Sequence, residues 1–401
     1  MNSIEASFDK RLSLKKKEID LVIVGAGPAG LSLALHLIQI SPNWSSRILI
    51  IEKRVHPRKK LCGGALSIPA LEILDDLGIQ PNQDTFPVNE IQIRYGKHGY
   101  ALKGKPVLKI VNRATFDHFL LDTLRTKGVQ ILEDTSFISA DRSLNGYCIE
   151  TTRGKISCRT LVGADGSTSI VRKTLGLKDQ NTVCRLLEVL TPVRPQDEYL
   201  FNEKIVNLEF KSMSQGLQGY YWDFPSIVNG TRMVNRGTFD SRANPNGSRA
   251  DLKQILKETL LERGIQLDKC DLQGHPLNCW NKNNVIAKPN ALLIGDAAGG
   301  DALFGEGISF ALGYGRSAAK IIETAFNTDN FDFKNYQNVL LENKLFRHLN
   351  FRSSISKFAY TITSPFILNI CWFIVSTIVK IFPIDNPFYL SLDKKRVDEC
   401  S

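Results

Sequence analysis

The sequence has no pair of cysteines at a CxxC spacing, and its eight cysteines are scattered along 401 residues. The six histidines also lack ligand spacing, so the sequence predicts no metal site. A chain of this length can bury a sizeable core without disulfide or metal staples. We therefore expect mostly free thiols and a reducing, cytoplasmic location.

Several other signals are missing. The first twenty residues lack the apolar core of a secretory signal peptide, and the chain has no internal repeat or low-complexity tract. The net charge is +10, but the positive charges are dispersed and accompany no recognition module, which argues against nucleic acid as a partner. They suit anionic small molecules or a lipid surface. Residues 1–18 are predicted to form a flexible basic arm, and nothing in the sequence indicates an oligomeric state.

The first ordered unit is a predicted β–α–β unit. Residues 21–24 are a continuous apolar run, typical of a strand buried on both faces of a parallel sheet. A GxGxxG turn, a helix over 28–38 and a second apolar strand follow, and this strand ends at Glu52. The glycines permit a tight turn and close approach to a pyrophosphate, while the carboxylate can accept ribose hydroxyls. The predicted dinucleotide contacts are Gly25, Gly27, Pro28, Ala29, Gly30 and Glu52.

Two later segments resemble motifs of the para-hydroxybenzoate-hydroxylase-like flavoproteins. Residues 161–166, Leu-Val-Gly-Ala-Asp-Gly, resemble the DG motif of that family, and residues 291–296 resemble its GD motif. The helix expected after residue 305 begins with a positive dipole end, which suits a reduced, anionic flavin. The resemblance implies FAD as cofactor, with contacts at Asp165, Gly166, Gly295, Asp296, Gly305, Gly307 and Ile308.

The predicted fold is therefore α/β. It has a Rossmann-like FAD-binding domain, an inserted antiparallel β-sheet substrate domain and a C-terminal helical region. We expect a discontinuous FAD-binding domain over 19–181 and 285–330, with part of the substrate sheet inserted near 85–112. Residues 182–284, rich in short strand patterns, are expected to form the substrate-binding sheet. Residues 331–401 are expected to form a helical, apolar tail.

Three segments also resemble the geranylgeranyl reductase family. Residues 60–66 are similar to its Cys-Gly-Gly segment, residues 219–225 to its Tyr-x-Trp-x-Phe-Pro segment, and residues 301–308 to its flavin-cradling loop. Ala65 replaces a third glycine of the family, and Ser226 replaces its usual lysine. The resemblance implies reduction of isoprenoid double bonds in an apolar, prenylated substrate, with NAD(P)H as electron donor.

Cys62 is the candidate for the chemical step, because the glycines after it can bring the thiol close to a flavin. The alternative is a small buried hydrophobe. Tyr221 and Trp222 are further catalytic candidates, and they lie on opposite faces of one predicted strand. One of these two faces is expected to line an apolar substrate cavity. The alternative is that both residues only pack within the sheet. Arg113 resembles an arginine that touches the FAD pyrophosphate. The remaining predicted cofactor contacts are Lys53, Arg54, Cys62, Gly63, Gly64, Ala65 and Arg113.

Two alternatives stay open. Residues 365–382 are apolar but slightly short for a membrane span, so they form either a core helix or cavity lid, or a peripheral contact with the cytoplasmic membrane face. The same fold and cofactor also suit a monooxygenase that hydroxylates or epoxidises an apolar or aromatic small molecule, because a fold does not determine its chemistry.

Overall fold

A computed structural model describes residues 19–60, 62–81, 83–177 and 183–381. The expected basic arm, residues 1–18, lies outside the described residues, as does the end of the chain after Ile381. The helices are α1 (Pro28–Ile40), α2 (Ile68–Asp76), α3 (Arg113–Thr126), α4 (Ile170–Thr174), α5 (Glu198–Asn202), α6 (Leu252–Glu262), α7 (Ile308–Thr328), α8 (Tyr336–Glu342), α9 (Lys344–Ala359) and α10 (Pro365–Ile381).

The strands form two sheets. They are β1 (Ile19–Val24), β2 (Ile48–Ile51), β3 (Ala65–Ser67), β4 (Thr85–Tyr95), β5 (His98–Val111), β6 (Gln130–Leu132), β7 (Phe137–Arg142), β8 (Tyr147–Thr151), β9 (Gly154–Gly163), β10 (Val183–Pro192), β11 (Ile205–Glu209), β12 (Gly219–Val228), β13 (Thr231–Asp240), β14 (Gln273–Asn278), β15 (Ala287–Lys288) and β16 (Ala291–Leu293).

The first sheet has the strand order β15-β16-β9-β1-β2-β6, and β8 and β7 extend it beside β9. The central pairs, β1 with β2 and β9, β9 with β16, and β2 with β6, are parallel. The apolar runs that predicted β1 and β2 are buried, as expected for strands covered on both faces. Helices α1 and α7 pack closely: a Cβ on Gly315 would lie 2.5 Å from the Leu33 nitrogen.

The second sheet has the strand order β14-β10-β13-β12-β11-β4-β5-β3. The expected antiparallel pairing holds between neighbours except at β4 and β11, which run parallel. These two strands are far apart in sequence, so no hairpin forces them into opposite directions. By contrast, β12 and β13 form a tight hairpin through Asn229 and Gly230, which both have positive φ angles, as a two-residue turn requires. Together the two sheets confirm the predicted α/β fold class.

Three local expectations differ from the structure. The strand-rich region 182–284 also contains the helices α5 and α6. The helix expected from Gly305 begins at Ile308, because residues up to Gly307 form the turn that precedes it. Cys184 and Cys279 form a disulfide, so these two depart from the expectation of mostly free thiols, whereas Cys62, Cys148, Cys270 and Cys371 are free cysteines.

The C-terminal helices pack on both halves of the molecule. Helix α9 brings Arg352 into the core, and α10 lies along β5. Its Trp372 stacks on Tyr95, the last residue of β4, with ring centroids 5.9 Å apart. The opposite side of α10 is exposed. Among the described residues, no helix combines the length and apolar character needed to cross a bilayer.

Candidate active site

A cavity of about 710 Å³ separates the two sheets. One wall consists of the loops that follow β1, β2, β9 and β16, at the carboxyl ends of the parallel strands. The other wall is one face of the second sheet. Ligands of open α/β sheets bind in the crevice outside the carboxyl ends of the strands, so the position of this cavity predicts a binding site.

The glycine-rich turn after β1 shapes one end of the cavity. Gly25 has a φ of +110°, and a Cβ there would lie 2.4 Å from the Ala164 carbonyl oxygen, so a side chain does not fit. Gly27 faces the cavity and is the N-cap of α1, where it has no side chain to occupy the first N–H groups of the helix. Those groups and the helix dipole suit a diphosphate. Pro28, Ala29 and Gly30 complete this first turn.

Glu52 lies at the end of β2 beside this turn and is buried. Its Oε2 accepts a hydrogen bond from the Ala26 amide at 2.8 Å, and its Oε1 accepts one from the Arg54 amide at 3.0 Å. The carboxylate therefore fixes the glycine-rich turn after β1, which we call the phosphate turn, and it also faces the cavity. Lys53 and Arg54 also line this end, but their side chains are exposed.

Two arginines converge beside the phosphate turn. Arg113, at the start of α3, forms a bidentate pair with the fully buried Asp117, with both contacts at 2.8 Å. Arg58 reaches the same carboxylate at 3.2 Å, and its side chain lies 3.8 Å from a Cβ built on Gly27. Arg58 also lies 4.0 Å from Glu52 Oε1. The two carboxylates hold the two guanidinium groups beside the turn, where these groups are suited to bind a diphosphate. Sequence reasoning missed Arg58, although it falls in the basic run between Lys53 and Lys60.

The DG motif serves mainly to hold the backbone. The Asp165 carboxylate accepts hydrogen bonds from the Ser169 hydroxyl at 2.6 Å and from the Ile170 amide at 2.7 Å, so it fixes the start of α4. Burial raises the pKa of this carboxyl group, and these hydrogen bonds oppose the rise. Gly166 follows with a φ of +82° and lines the cavity. Arg172 then joins this motif to the GD motif by donating to the Ala297 carbonyl oxygen at 2.9 Å.

The GD motif and the next loop close the cavity. The carboxyl group of Asp296 lines it, and burial raises the pKa of this group, while Lys60 and Arg113 lower it. Gly295 lies beside it, and Gly305, Gly307 and Ile308 line the cavity at the start of α7. Gly307, the N-cap of this 21-residue helix, again offers no side chain to the first N–H groups. This end of the cavity is therefore suited to an anionic ring system.

These features fit FAD along its whole length. The buried carboxylate of Glu52 suits the adenosine ribose, the first turn of α1 with Arg58 and Arg113 suits the diphosphate, and the start of α7 suits the flavin ring. When bound, FAD supplies hydride transfer. Among the residues that the structure describes, no cluster of His, Cys, Asp or Glu could hold a metal ion.

The Cys62 segment crosses the middle of the cavity. Its amide donates to Glu188 Oε1 at 3.1 Å, its sulfur accepts from the Gly64 amide at 3.4 Å, and Arg113 also hydrogen-bonds that sulfur. Gly64 has a φ of +77°, and a Cβ there would lie 2.0 Å from the Val111 carbonyl oxygen. A Cβ on Gly63 would lie 2.8 Å from the Phe224 ring, and Ala65 begins β3. The glycines thus allow the segment to pass between β5 and the aromatic face of β12.

That aromatic face corrects one expectation. Tyr220, Trp222 and Phe224 line the cavity, and the Tyr220 hydroxyl donates to the Phe304 carbonyl oxygen. Tyr221, expected to be catalytic, points to the other side of the sheet, where it donates to Asp223 at 2.8 Å and packs against α6. The side chains alternate along β12 as predicted, but the face that lines the cavity is the one with Trp222 and not the one with Tyr221.

A group of polar residues that line the cavity, the buried Glu188 and the half-buried Lys60 and His275, was not anticipated. The Nζ of Lys60 lies 2.7 Å from Nε2 of His275. Burial lowers the pKa of Lys60, and burial and the charge of Lys60 lower the pKa of His275 to about 4. Burial raises the pKa of Glu188 to about 7. These residues come from separate segments, so no local sequence pattern marks them as one group.

The fold and the site define an FAD-dependent oxidoreductase. The chain belongs to the FAD binding domain family, whose sequence model matches residues 18–299. A digeranylgeranylglycerophospholipid reductase of Methanococcus vannielii is 26% identical over 339 residues, which cover 79% of this chain and 80% of that protein. A menaquinone reductase of Mycolicibacterium smegmatis is 25% identical over 343 residues, covering 77% and 78%.

The fold is also similar to a solved structure. A geranylgeranyl bacteriochlorophyll reductase-like protein from Thermoplasma acidophilum aligns with a TM-score of 0.75 and 21% identity, covering 93% of this chain and 94% of that one. At this identity the likeness shows the fold alone. Together with the named relatives, it confirms the resemblance to the geranylgeranyl reductases that the three sequence segments indicated.

Proposed function

We propose that this protein reduces isoprenoid double bonds with FAD as its cofactor and NAD(P)H as its electron donor. The observation that carries the proposal is the continuity of the cavity, which joins the cofactor loops to an apolar face of the second sheet. A substrate on that face would lie against the same space that the start of α7 offers to a flavin ring. One relative, named a reductase of a digeranylgeranyl lipid, supports the same substrate class.

The apolar wall fits a hydrocarbon chain. In-register positions on neighbouring strands supply it, with Trp222 opposite Leu208, Leu208 opposite Ile93, and Ile93 opposite Tyr100. Burying an apolar group on such a wall stabilises binding by about 0.8 kcal/mol per CH₂. Apart from the Tyr100 hydroxyl, the cavity-lining side chains on β4, β5 and β11 are hydrocarbon (Ile91, Ile93, Leu102, Leu108, Val206 and Leu208). This part of the wall favours an isoprenoid chain over a hydroxylated aromatic substrate.

An anaerobic experiment tests this function. The protein, reduced with NADPH or NADH, is mixed with prenyl diphosphates and prenylated lipids in a stopped-flow instrument without oxygen. We expect the flavin absorbance to return as the alkene is reduced. A flavin that stays reduced with every prenyl compound and reoxidises only when oxygen is admitted would support the monooxygenase alternative instead.

Cys62 is proposed to serve the chemical step, and not FAD binding. Its sulfur lies between Arg113 and the Gly64 amide, in the segment that crosses from the cofactor loops to Trp222. Cys62→Ser should keep normal flavin content and normal reduction by NAD(P)H, while reoxidation by the prenyl substrate slows. Cys148→Ser, a free cysteine on β8, is the control. Reoxidation of Cys62→Ser at the wild-type rate would make the thiol a structural group.

The exposed side of α10 is proposed to make a peripheral contact with the cytoplasmic membrane face. Phe366, Phe373 and Ile378 on this side have exposed fractions of 74%, 57% and 52%. On its other side Trp372 stacks on Tyr100, a residue of the cavity wall, with ring centroids 6.4 Å apart. A membrane-embedded α10 would thus bring the cavity close to prenyl lipids in the bilayer.

Liposome co-sedimentation tests this contact. Replacing Phe366, Phe373 and Ile378 with serine should reduce co-sedimentation with anionic liposomes, because the helix would lose three of its eight large exposed apolar side chains. Leu144→Ser, at a residue that is 96% exposed on the β7–β8 turn, should leave it unchanged. Equal sedimentation of the triple variant and the wild type would exclude α10 as the contact.

A further inference from the structure

Glu188 occupies a central position in the cavity that the proposed function does not yet use. It lies on β10 with an exposed fraction of 7% and lines the cavity. Across the sheet it pairs with Gly237, which in turn pairs with Trp222. A Cβ on Gly237 would lie 2.4 Å from the indole ring. The missing side chain therefore lets Trp222 extend over β13 toward the carboxyl group.

The orientation of the carboxyl group is fixed by neighbours on two sides. Its Oε1 accepts from the Cys62 amide at 3.1 Å. On the other side, Asn235 Oδ1 accepts from the Trp222 indole N–H at 2.7 Å, which turns the amide N–H group of Asn235 toward Glu188. The group is thus held between the Cys62 segment and Trp222, the two elements expected to contact the substrate.

The surroundings of Glu188 keep it partly protonated near neutral pH. Burial raises its pKa to about 7, while the hydrogen bonds from Asn235 and Cys62 and the charges of Lys60 and Arg113 limit the rise. His275 on β14, the other titratable group beside Lys60, has a pKa of about 4 and is neutral there. A carboxyl group in this range is suited to general acid catalysis at neutral pH.

We propose that Glu188 is a catalytic residue that supplies the proton for alkene reduction, an inference that rests on the proposed function. One alkene carbon receives a hydride, with its electron pair, from the reduced form of the cofactor. The π electrons of the double bond then form a C–H bond from the other carbon to the Glu188 proton as the O–H bond breaks. The products are a saturated C–C bond, oxidised cofactor and a carboxylate, which regains its proton from water.

The first test measures protonation without turnover. Glu188→Gln keeps the shape and an acceptor for the Cys62 amide but cannot titrate. Because the folded wild type holds a proton on Glu188 at pH values where the unfolded chain has lost it, wild-type stability falls as pH rises from 4.5 to 7. The melting temperature of the variant minus that of the wild type should therefore increase by about 3 °C between pH 5 and pH 8. A pH-independent difference would contradict the inference.

The second test follows anaerobic reoxidation by a prenylated lipid. Glu188→Gln should be reduced by NAD(P)H at the normal rate, whereas its reoxidation should be slower by about 10²- to 10⁴-fold. The reoxidation rate of the wild type should fall above a pH of about 7, and that of the variant should not. Glu209→Gln, at another carboxyl group of the second sheet, is the control and should behave as the wild type. Wild-type reoxidation in Glu188→Gln would overturn the inference alone, while a wild type that no prenyl compound reoxidises would overturn the proposed function with it.

Discussion

Asp117→Asn tests the pairing of the arginines at the phosphate turn. The substitution keeps the size of the side chain but leaves Arg113, itself buried, beside a neutral amide. Removing one partner of a buried ion pair costs about 3–5 kcal/mol. With an unfolding entropy of about 2.1 cal/mol/K per residue, the 401 residues give about 0.84 kcal/mol/K. The melting temperature of the FAD-free protein should thus fall by about 4–6 °C.

The control is Asp122→Asn on the same helix. Asp122 pairs with Arg125 at 3.0 Å, but both side chains are more than 40% exposed. An exposed pair contributes about 0–1 kcal/mol, so this variant should lose about 1 °C or less. The assay is thermal unfolding of both variants, with and without added FAD.

FAD should stabilise Asp117→Asn more than it stabilises the wild type, because the diphosphate supplies the negative charge that Arg58 and Arg113 have lost. By linkage, a ligand that relieves a defect of the folded state raises the melting temperature of the defective variant by more than it raises that of the wild type. Equal melting temperatures for the two FAD-free variants would refute the buried ion pair. An equal effect of FAD on Asp117→Asn and the wild type would refute the placement of the diphosphate.

Two other predictions concern the ends of the cavity. Glu52→Ala should weaken FAD retention by about ten- to a hundredfold, because a charged hydrogen bond contributes about 1.5–3 kcal/mol; full flavin absorbance of the folded variant after dialysis would contradict the position of the adenosine. His275→Gln should flatten the pH dependence of stability between pH 4 and 6.5, where the unfolded histidine binds a proton that the folded one excludes, so that wild-type stability rises with pH. Parallel stability curves for this variant and the wild type would show that His275 is not held neutral.

The sequence was sufficient to predict the cofactor half of the molecule. The apolar runs at β1 and β2, the glycines between them and Glu52 lie within one local unit, and each has a direct physical role there. The motif glycines at 63, 64 and 305 were also found locally, since close packing or a positive φ angle demands glycine at these points.

The half of the molecule formed by the second sheet depended on contacts that no local pattern contains. Alternation along β12 separates Tyr221 from Trp222, but only the packing of α6 decides which face is covered by protein and which meets the cavity. Glu188, Lys60 and His275 come from separate segments that the sheet register and the loop before β3 bring together. The raised pKa of Glu188 arises from burial, which a sequence does not display.

The central claim is tested most directly by the mass of the product. NADPH-reduced protein is incubated without oxygen with a digeranylgeranyl lipid, and the lipid is analysed by mass spectrometry. Reduction predicts a product that gains two hydrogen atoms for each double bond lost, in proportion to the NADPH oxidised. An unchanged lipid under these conditions, together with a product that gains an oxygen atom when air is admitted, would contradict the account.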